Sequence, residues 1–221
     1  MIGEKKMNTK NIKGLIFDLD GVLLSTDHFH YLAWKKLADR LGIVFTEKDN
    51  ERLRGVSRME SLEIVLSLEP SVKLGEDEKM AVATEKNEQY REYLKTMTPD
   101  DVSAEVRQTL ADLRRKGYLL AVGSSSKNTR FILERTQLTD CFDAIADGND
   151  ITRSKPDPEV FLKAAELIGL DASVCAVIED AEAGLEAANA AKMLAIAYAS
   201  AYGSKLGDVQ LEKFSDLEKL F

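Results

Sequence analysis

The alternation of short apolar runs with amphipathic segments constrains the fold of this chain more than any other feature. The apolar runs that we predict as strands lie at 14–17, 118–122, 142–146, 174–178 and 193–197. The helices that we predict between the later runs lie at 103–116, 128–137, 156–169 and 181–191. Repeated strands and helices of this length predict an α/β fold with a doubly wound, mostly parallel sheet.

The segment between the first strand and this alternation predicts helices and no strand. Apolar residues recur at helical spacing from 26 to 41, and capping boxes are predicted at Thr46–Asp49 and Ser57–Glu60. A long charged helix is predicted from 76 to 95. A simple β-α-β unit does not continue in this way. We therefore predict a core domain of residues 1–24 and 98–221, with a helical domain of residues 25–97 inserted into it.

Charge and composition exclude several classes of partner. The net charge of -8 and a pI of about 5.0 argue against nucleic acid held by a broad positive field. No apolar run approaches the roughly 20 residues that span a membrane, and the N-terminal segment lacks the apolar stretch of a signal peptide. Cys141 and Cys175 lack C-x-x-C spacing, which predicts buried free thiols in a reducing cytoplasm. We expect a cytoplasmic monomer that binds a small molecule.

Two carboxylates follow the first predicted strand, at Asp18 and Asp20, and Gly21 then turns the chain. Nearby carboxylates repel each other unless a cation lies between them or one of them holds a proton. The pair therefore predicts a divalent metal site or a nucleophile beside an acid–base group. The alternative is an Asp-Gly turn without chemical function.

Polar residues follow two other predicted strands, and a lysine precedes a predicted helix. They are Ser124 to Asn128, Glu179 with Asp180, and Lys155. In a parallel sheet these residues meet at one edge. Each has a structural alternative: Ser126 or Asn128 could cap a helix, the acidic pair could interact with a helix dipole, and Lys155 could be solvated. Their coincidence at one edge favours a functional site.

Phosphoryl transfer is the chemistry that this set predicts. Magnesium ions bind carboxylate and carbonyl oxygens around a phosphate. We predict direct ligation by Asp18 and Asp180, ligation by the carbonyl of Asp20, and Glu179 in the first or second ligand shell. Asp18 is also the candidate nucleophile and Asp20 the candidate general acid/base. Backbone N–H groups would stabilise the transferring phosphoryl group together with Ser124 and Lys155.

These residues resemble the four motifs of the haloacid dehalogenase superfamily, and the helical insertion resembles its first type of cap domain. The motifs are Asp18-Leu19-Asp20-Gly21-Val22, Ser124, Lys155-Pro156 and Glu179-Asp180. Over nearly the whole chain the sequence is similar to the β-phosphoglucomutase family, most specifically in the cap segment Gly55–Arg58. One departure is Asp101–Glu105, where that family commonly has Pro-Gly.

The resemblance implies a superfamily-like Rossmannoid core and a Mg²⁺-dependent phosphomutase. The enzyme would interconvert β-D-glucose 1-phosphate and glucose 6-phosphate through an aspartyl phosphate and bound β-glucose 1,6-bisphosphate. Thr26 and His30 would link cap closure to the acid/base. The substrate-binding residues would be Trp34, Gly55, Val56, Ser57, Arg58, Lys86, Ser125, Ser126, Lys127 and Asn128. The alternative is a phosphatase that hydrolyses a sugar phosphomonoester, because the four motifs are shared with phosphatases.

The cap-side residues also have structural alternatives. Arg58 opens a predicted helix, where free backbone N–H groups favour an anion, but it could instead pair at the surface with Glu60 or Glu63. Lys86 lies in a charged helix, where a solvated position is the usual one. His30 could be a packed helix residue, and Trp34 could belong to a hydrophobic core.

Overall fold

The sheet contains six parallel strands in the described part of the chain, residues 9–53 and 56–221 of a computed structural model. Their order is β3-β2-β1-β4-β5-β6. The strands are β1 (Gly14–Phe17), β2 (Leu119–Gly123), β3 (Ala144–Ala146), β4 (Cys175–Glu179), β5 (Leu194–Tyr198) and β6 (Val209–Leu211). Every residue of β1 and β4 is buried, as expected when helices cover both faces of a sheet. The predicted doubly wound sheet is confirmed, whereas β6 was not predicted.

Except for the last helix, which was not predicted, the helices agree with the predicted segments apart from their ends. They are α1 (Asp27–Arg40), α2 (Glu47–Glu51), α3 (Arg58–Ser67), α4 (Glu76–Leu94), α5 (Ala104–Arg115), α6 (Thr129–Arg135), α7 (Glu159–Leu167), α8 (Glu182–Ala190) and α9 (Leu217–Leu220). The helix predicted from 156 begins only at Glu159, after Pro158 at the N-cap. Proline lacks an N–H group and restricts the residue before it, so Pro156 and Pro158 suit a turn that leads into the helix.

The register of the central strands brings the predicted polar residues to one edge of the sheet. Phe17 pairs with Val122 on one side and with Ile178 on the other. The N–H of Asp18 donates to the carbonyl of Ile178 at 3.0 Å. The residues that follow these three strands therefore lie level with one another, at the carboxyl edge.

The helices α1 to α4 lie between β1 and β2 in sequence, and residues 25–53 and 56–97 contain no strand, as predicted. Both predicted capping boxes are present: Thr46 accepts from the N–H of Asp49, and Ser57 from that of Glu60. These helices enclose a hydrophobic cluster of their own, built on residues such as Trp34. We call α1 to α4 the helical insertion.

Both cysteines are free thiols, as predicted, but only one is buried. Cys175 begins the central strand β4 and has no exposed surface. Cys141 is half-buried, because it lies in the turn before β3 rather than in a strand, so the prediction that it is buried was wrong. Within 9–53 and 56–221, no helix combines the length and the apolar character needed to cross a membrane.

Candidate active site at the carboxyl edge of the sheet

A cavity of about 550 Å³ lies between the carboxyl edge of the sheet and the helical insertion. From the sheet side it is lined by Asp18, Asp20, Ser124, Ser125, Ser126, Lys127, Asn128, Lys155, Glu179 and Asp180. From the helical insertion it is lined by His30, Trp34, Val56, Ser57, Arg58 and Lys86. Thr26 is buried next to Asp20 and does not line the cavity. Gly55 lies outside the described residues. The structure thus places the other predicted site residues around one cavity.

Three buried carboxylates form the floor of this cavity. Oxygens of Asp18, Glu179 and Asp180 lie within 4.8 Å of one another. Burial raises the pKa of Asp180 to about 8, and the charges of Glu179 and Asp18 add to the effect. Burial also raises the pKa of Glu179, which Lys155 only partly offsets. Because oxygen donors concentrated in this way are costly to ionise without a cation, the group fits a divalent metal ion such as Mg²⁺.

Lys155 supplies a single positive charge to this acidic group. Its Nζ lies 2.5 Å from Asp18 Oδ1 and 2.5 Å from Glu179 Oε1, and its side chain is buried. Burial opposes the charge, but the two carboxylates outweigh burial and raise the pKa of Lys155. The ammonium therefore stays protonated at the edge of the cavity. The alternative that Lys155 is a solvated surface lysine was wrong.

Two glycines leave the space that the metal-site carboxylates occupy. Gly21 has a φ of 87°, and a Cβ there would collide with the carboxylate of Asp180. A Cβ at Gly184, on α8, would collide with the carboxylate of Glu179. Gly21 is predicted as a turn residue from the sequence, whereas the role of Gly184 was missed. A glycine inside a predicted helix is the signal that could have revealed it.

Asp20 faces a different set of partners, and its carboxylate does not belong to the three-acid group. The N–H of Thr26 donates to Asp20 Oδ1 at 2.7 Å, and the Thr26 hydroxyl donates to Oδ2. Burial raises the pKa of Asp20 to about 6, and the hydrogen bonds from Thr26 oppose this increase. A carboxyl group with this pKa can hold and release a proton near neutral pH. The predicted metal ligation through the carbonyl of Asp20 stays a prediction.

Tyr90 on α4 completes this arrangement and was missed in the sequence. Its hydroxyl donates to Thr26 Oγ1 at 2.9 Å, and its ring lies 4.1 Å from that of His30. A tyrosine at helical spacing in a charged segment carries no pattern that distinguishes this role from ordinary packing.

The loop after β2 lies against two other loops of the sheet edge. The N–H of Ser126 donates to Ser124 Oγ, and the N–H of Lys155 donates to Ser125 Oγ, each at 3.3 Å. The N–H of Gly148 donates to the carbonyl of Ser126 at 3.2 Å. These contacts hold the hydroxyl groups of the loop beside the cavity.

The capping alternatives for this loop are only partly correct. Ser126 Oγ accepts from the N–H of Asn128 just before α6, so Ser126 has a local turn role. Asn128 occupies the N-cap position, but its side chain makes no capping bond. Its Nδ2 instead donates to Asn87 Oδ1 at 3.0 Å. Asn128 therefore connects the sheet edge to the helical insertion.

On the side of the helical insertion, Lys86 is buried and faces His30. The two side chains meet at 2.9 Å, and Lys86 Nζ lies 4.4 Å from the centroid of the Trp34 ring. Burial and then the charge of Arg58 lower the pKa of Lys86, and burial likewise lowers the pKa of His30. The solvated position considered for Lys86 was wrong. Trp34 belongs to the core of the insertion and also forms a wall of the cavity.

Arg58 also turns toward the cavity rather than toward the surface acids considered in the sequence. Its Nη2 donates to Asn87 Oδ1 at 2.9 Å. Glu60 accepts from the N–H of Ser57, and Glu63 pairs with Lys79 at 2.7 Å. The surface-pair alternative was therefore wrong, and burial lowers the pKa of the guanidinium.

Comparison with known proteins agrees with the fold and the acidic group. Residues 12–192 match the haloacid dehalogenase-like hydrolase family, and the chain belongs to this family. The resemblance inferred from its motifs is confirmed. The chain is 37% identical to a β-phosphoglucomutase of Bacillus subtilis, over 93% of this chain and 92% of that protein. It is 32% identical to a phosphorylated carbohydrates phosphatase of Thermotoga maritima, over 81% of this chain and 82% of that protein.

A solved structure is also similar over nearly the whole chain. The crystal structure of a β-phosphoglucomutase from Clostridium difficile matches with a TM-score of 0.86 and 35% identity, covering 93% of each chain. The names of these relatives describe enzymes that act on sugar phosphates, and they include both a mutase and a phosphatase.

Proposed function

We propose that this protein is a β-phosphoglucomutase that interconverts β-D-glucose 1-phosphate and glucose 6-phosphate. The observation that carries the proposal is that one cavity has cationic groups at two ends. Lys155 lies beside the three carboxylates on the sheet side, and Arg58 lies on the side of the helical insertion. A phosphomutase needs such a site because its bisphosphate intermediate presents a phosphate at each end. The similarity to two β-phosphoglucomutases supports the same conclusion.

A bound Mg²⁺ would be held by Asp18, Glu179 and Asp180, with the carbonyl of Asp20 as a further ligand, and would neutralise charge on the transferring phosphoryl group. The proposal rests on the donor chemistry of the acidic group. Its three buried carboxyl groups outnumber the single ammonium of Lys155, so their full ionisation requires a further cation.

Asp18 acts as the nucleophile in this mechanism. Its carboxylate attacks phosphorus, the bond to the sugar oxygen breaks, and an aspartyl phosphate forms. Lys155 contacts Asp18 directly and stabilises the negative charge that develops on the phosphoryl oxygens. The hydroxyl of Ser124 lies at the end of the neighbouring strand and contributes a further donor.

Asp20 acts as the general acid and base. It protonates the sugar oxygen that leaves phosphorus, and it removes the proton of the sugar hydroxyl that later attacks the aspartyl phosphate. A pKa near 6 suits both steps, because neither protonation state is then costly to reach near neutral pH. Thr26 orients the carboxylate through its N–H and its hydroxyl, and we propose that His30 contributes from the insertion side.

The helical insertion acts as a cap over the reaction. We propose the domain boundaries given by the sequence, with residues 25–97 as the cap and residues 1–24 and 98–221 as the core. The cap excludes water, so that the aspartyl phosphate is attacked by the sugar hydroxyl and is not hydrolysed. Because all the proposed groups belong to a single chain, we propose that the monomer is the active unit.

We propose that the remaining predicted residues bind the substrate away from the reacting carboxylates. Arg58 can hold a phosphate through two parallel hydrogen bonds. We propose that it acts with Trp34, Gly55, Val56, Ser57, Lys86, Ser125, Ser126, Lys127 and Asn128. Bound β-glucose 1,6-bisphosphate would serve as the activator and intermediate.

The decisive experiment is incubation with β-glucose 1-phosphate, Mg²⁺ and a trace of β-glucose 1,6-bisphosphate. We expect glucose 6-phosphate to accumulate without an equivalent amount of free phosphate. Release of phosphate as the main product would contradict the mutase assignment and favour a sugar phosphatase, a second candidate that the Thermotoga maritima relative supports. Other β-hexose 1-phosphates tested in parallel would define the preferred sugar.

A further inference from the structure

Arg91 lies outside the cavity and yet contacts one of the residues that line it. It is on α4, and its Nη1 donates to Asn128 Oδ1 at 3.1 Å. The guanidinium also lies 5.0 Å from the centroid of the Phe131 ring on α6. Its side chain therefore extends from the helical insertion to the sheet domain, against the first turn of α6.

The contact of Arg91 determines which way the Asn128 amide points. Arginine can only donate hydrogen bonds, so the atom that faces Arg91 must be the amide oxygen. Nδ2 of Asn128 then faces the other way and donates to Asn87 Oδ1. Asn87 in turn must present its oxygen, because Arg58 also donates to that atom.

Two arginines thus fix the orientation of two asparagine amides. Arg91 donates to Asn128, and Asn128 donates to Asn87. Arg58 donates to Asn87 from the other end of this chain of hydrogen bonds. Both amide oxygens are occupied within this chain of hydrogen bonds. Asn87, Asn128 and Arg58 all line the cavity. With both amide oxygens engaged, the side-chain groups that these residues can still offer to a ligand are N–H donors. An anion is the ligand that such a donor-only surface fits.

We propose that Arg91 is a positioning residue for the distal phosphate subsite. It keeps the amide oxygen of Asn128 away from the cavity, so that Nδ2 and the side chain of Arg58 face the phosphate of the bisphosphate. Without Arg91 the Asn128 amide is held only through Asn87, and it turns its oxygen toward the cavity more readily, where it repels a phosphate. This inference rests on the proposed function, since with Asp18 phosphorylated a sugar phosphate can place its own phosphate only in the distal subsite.

The test measures KM for β-glucose 1-phosphate and for β-glucose 1,6-bisphosphate, together with the free phosphate released for each glucose 6-phosphate formed. In Arg91→Ala we expect both KM values to rise about tenfold, as for one lost hydrogen bond that involves a charged group, with kcat and the release of free phosphate nearly unchanged. Arg91→Gln can accept as well as donate and should resemble Arg91→Ala. Arg91→Lys only donates and should reverse most of the rise in KM.

Arg40→Ala is the matched control, because Arg40 is an exposed arginine of the same insertion and pairs only at the surface, with Glu85 at 2.8 Å. Kinetics of Arg91→Ala equal to those of Arg40→Ala would overturn the proposal. Increased release of free phosphate in Arg91→Ala would also overturn it, since that pattern indicates a loosened cap that admits water. If the wild-type protein proves to be a phosphatase, a monophosphate leaves the distal subsite empty, and only the KM of the bisphosphate should rise in Arg91→Ala. That result would reject the mutase assignment alone.

Discussion

The hydroxyl of Tyr90 lies 2.9 Å from that of Thr26 and connects α4 to the residue that holds Asp20. Tyr90 belongs to the helical insertion, Thr26 to the segment that leads into it, and Asp20 to the segment that follows β1. The proposed acid/base is thus in hydrogen-bond contact with the insertion through one intermediate residue.

Replacing Thr26 with valine should move the pH dependence of turnover. The Thr26 hydroxyl donates to the ionised carboxylate of Asp20 and lowers its pKa, so its loss should raise that pKa above about 6. The step in which Asp20 removes a proton requires the carboxylate. Activity should therefore fall at a higher pH on the acid side in Thr26→Val than in the wild type, as measured by pH profiles of kcat/KM.

Thr109→Val serves as the control for this substitution. Thr109 is equally buried, but it hydrogen-bonds Glu218 far from the cavity. Its pH profile should match that of the wild type. An unshifted acid limb in Thr26→Val would remove Thr26 from the proposed acid/base arrangement.

Substituting Gly21 with alanine should weaken metal binding. The added methyl group would collide with the Asp180 carboxylate, and moving a metal ligand in this way should cost about tenfold or more in Mg²⁺ affinity. Gly203→Ala is a matched control, because Gly203 has a φ of 90° and no atom within 4 Å of the added Cβ. Both variants should lose roughly 1–2 kcal/mol of stability from backbone strain. Equal Mg²⁺ affinity by calorimetry in the two variants would contradict the prediction.

The metal-free protein should lose stability between about pH 4 and pH 8. The pKa of Asp180 is raised from 3.8 to about 8 in the folded protein, so folding favours its protonated form. That contribution is complete below the unfolded pKa and disappears as the pH rises through the folded one. Urea unfolding in EDTA should show the decline, and Mg²⁺ should stabilise the protein most at the alkaline end.

The corresponding variant is Asp180→Asn, which removes the titrating group. Its stability should change less with pH over the same range, and added Mg²⁺ should stabilise it less. Asp39→Asn on the surface of α1 should behave like the wild type. A pH slope in Asp180→Asn equal to that of the wild type would assign the effect to other groups.

Truncating Lys155 should destabilise the fold as well as stop turnover. Lys155→Ala leaves the buried carboxylates of Asp18 and Glu179 without their cation, which typically costs about 3–5 kcal/mol. Lys163→Ala removes an ion pair with Glu166 that is exposed to solvent and should cost no more than about 1 kcal/mol. Urea denaturation at low Mg²⁺ would measure the difference, and equal losses would show that the buried pairs contribute little.

The sheet and its polar edge could be predicted because they depend on local patterns and on one topological rule. The apolar run at 14–17 predicted β1. The rule that parallel strands end at one edge of a sheet predicted that Asp18, Ser124 and Asp180 lie close together. The edge strand β6 was missed, since its three residues, Val209–Leu211, are too few to show a period.

The contacts between the insertion and the sheet could not be predicted from spacing alone. Lys86 and Arg91 lie in the same charged helix and have the same local pattern. Lys86 is nevertheless buried against the ring of Trp34, whereas Arg91 extends to Asn128. Their positions depend on how α4 packs against other elements. Single-sequence periodicity carries no information about that packing.

The position of β1 in the middle of the sheet affects how the protein tolerates thermal fluctuation. The proposed nucleophile, Asp18, follows a strand that is flanked by β2 and β4, whereas β3 and β6 form the two margins. Fraying of the margins leaves the hydrogen bonds of β1 intact, so deuterium should enter β3 and β6 long before β1. Asp18 thus lies beside the part of the sheet that opens most slowly, and partial unfolding would disrupt the margins of the sheet before it reached the proposed nucleophile.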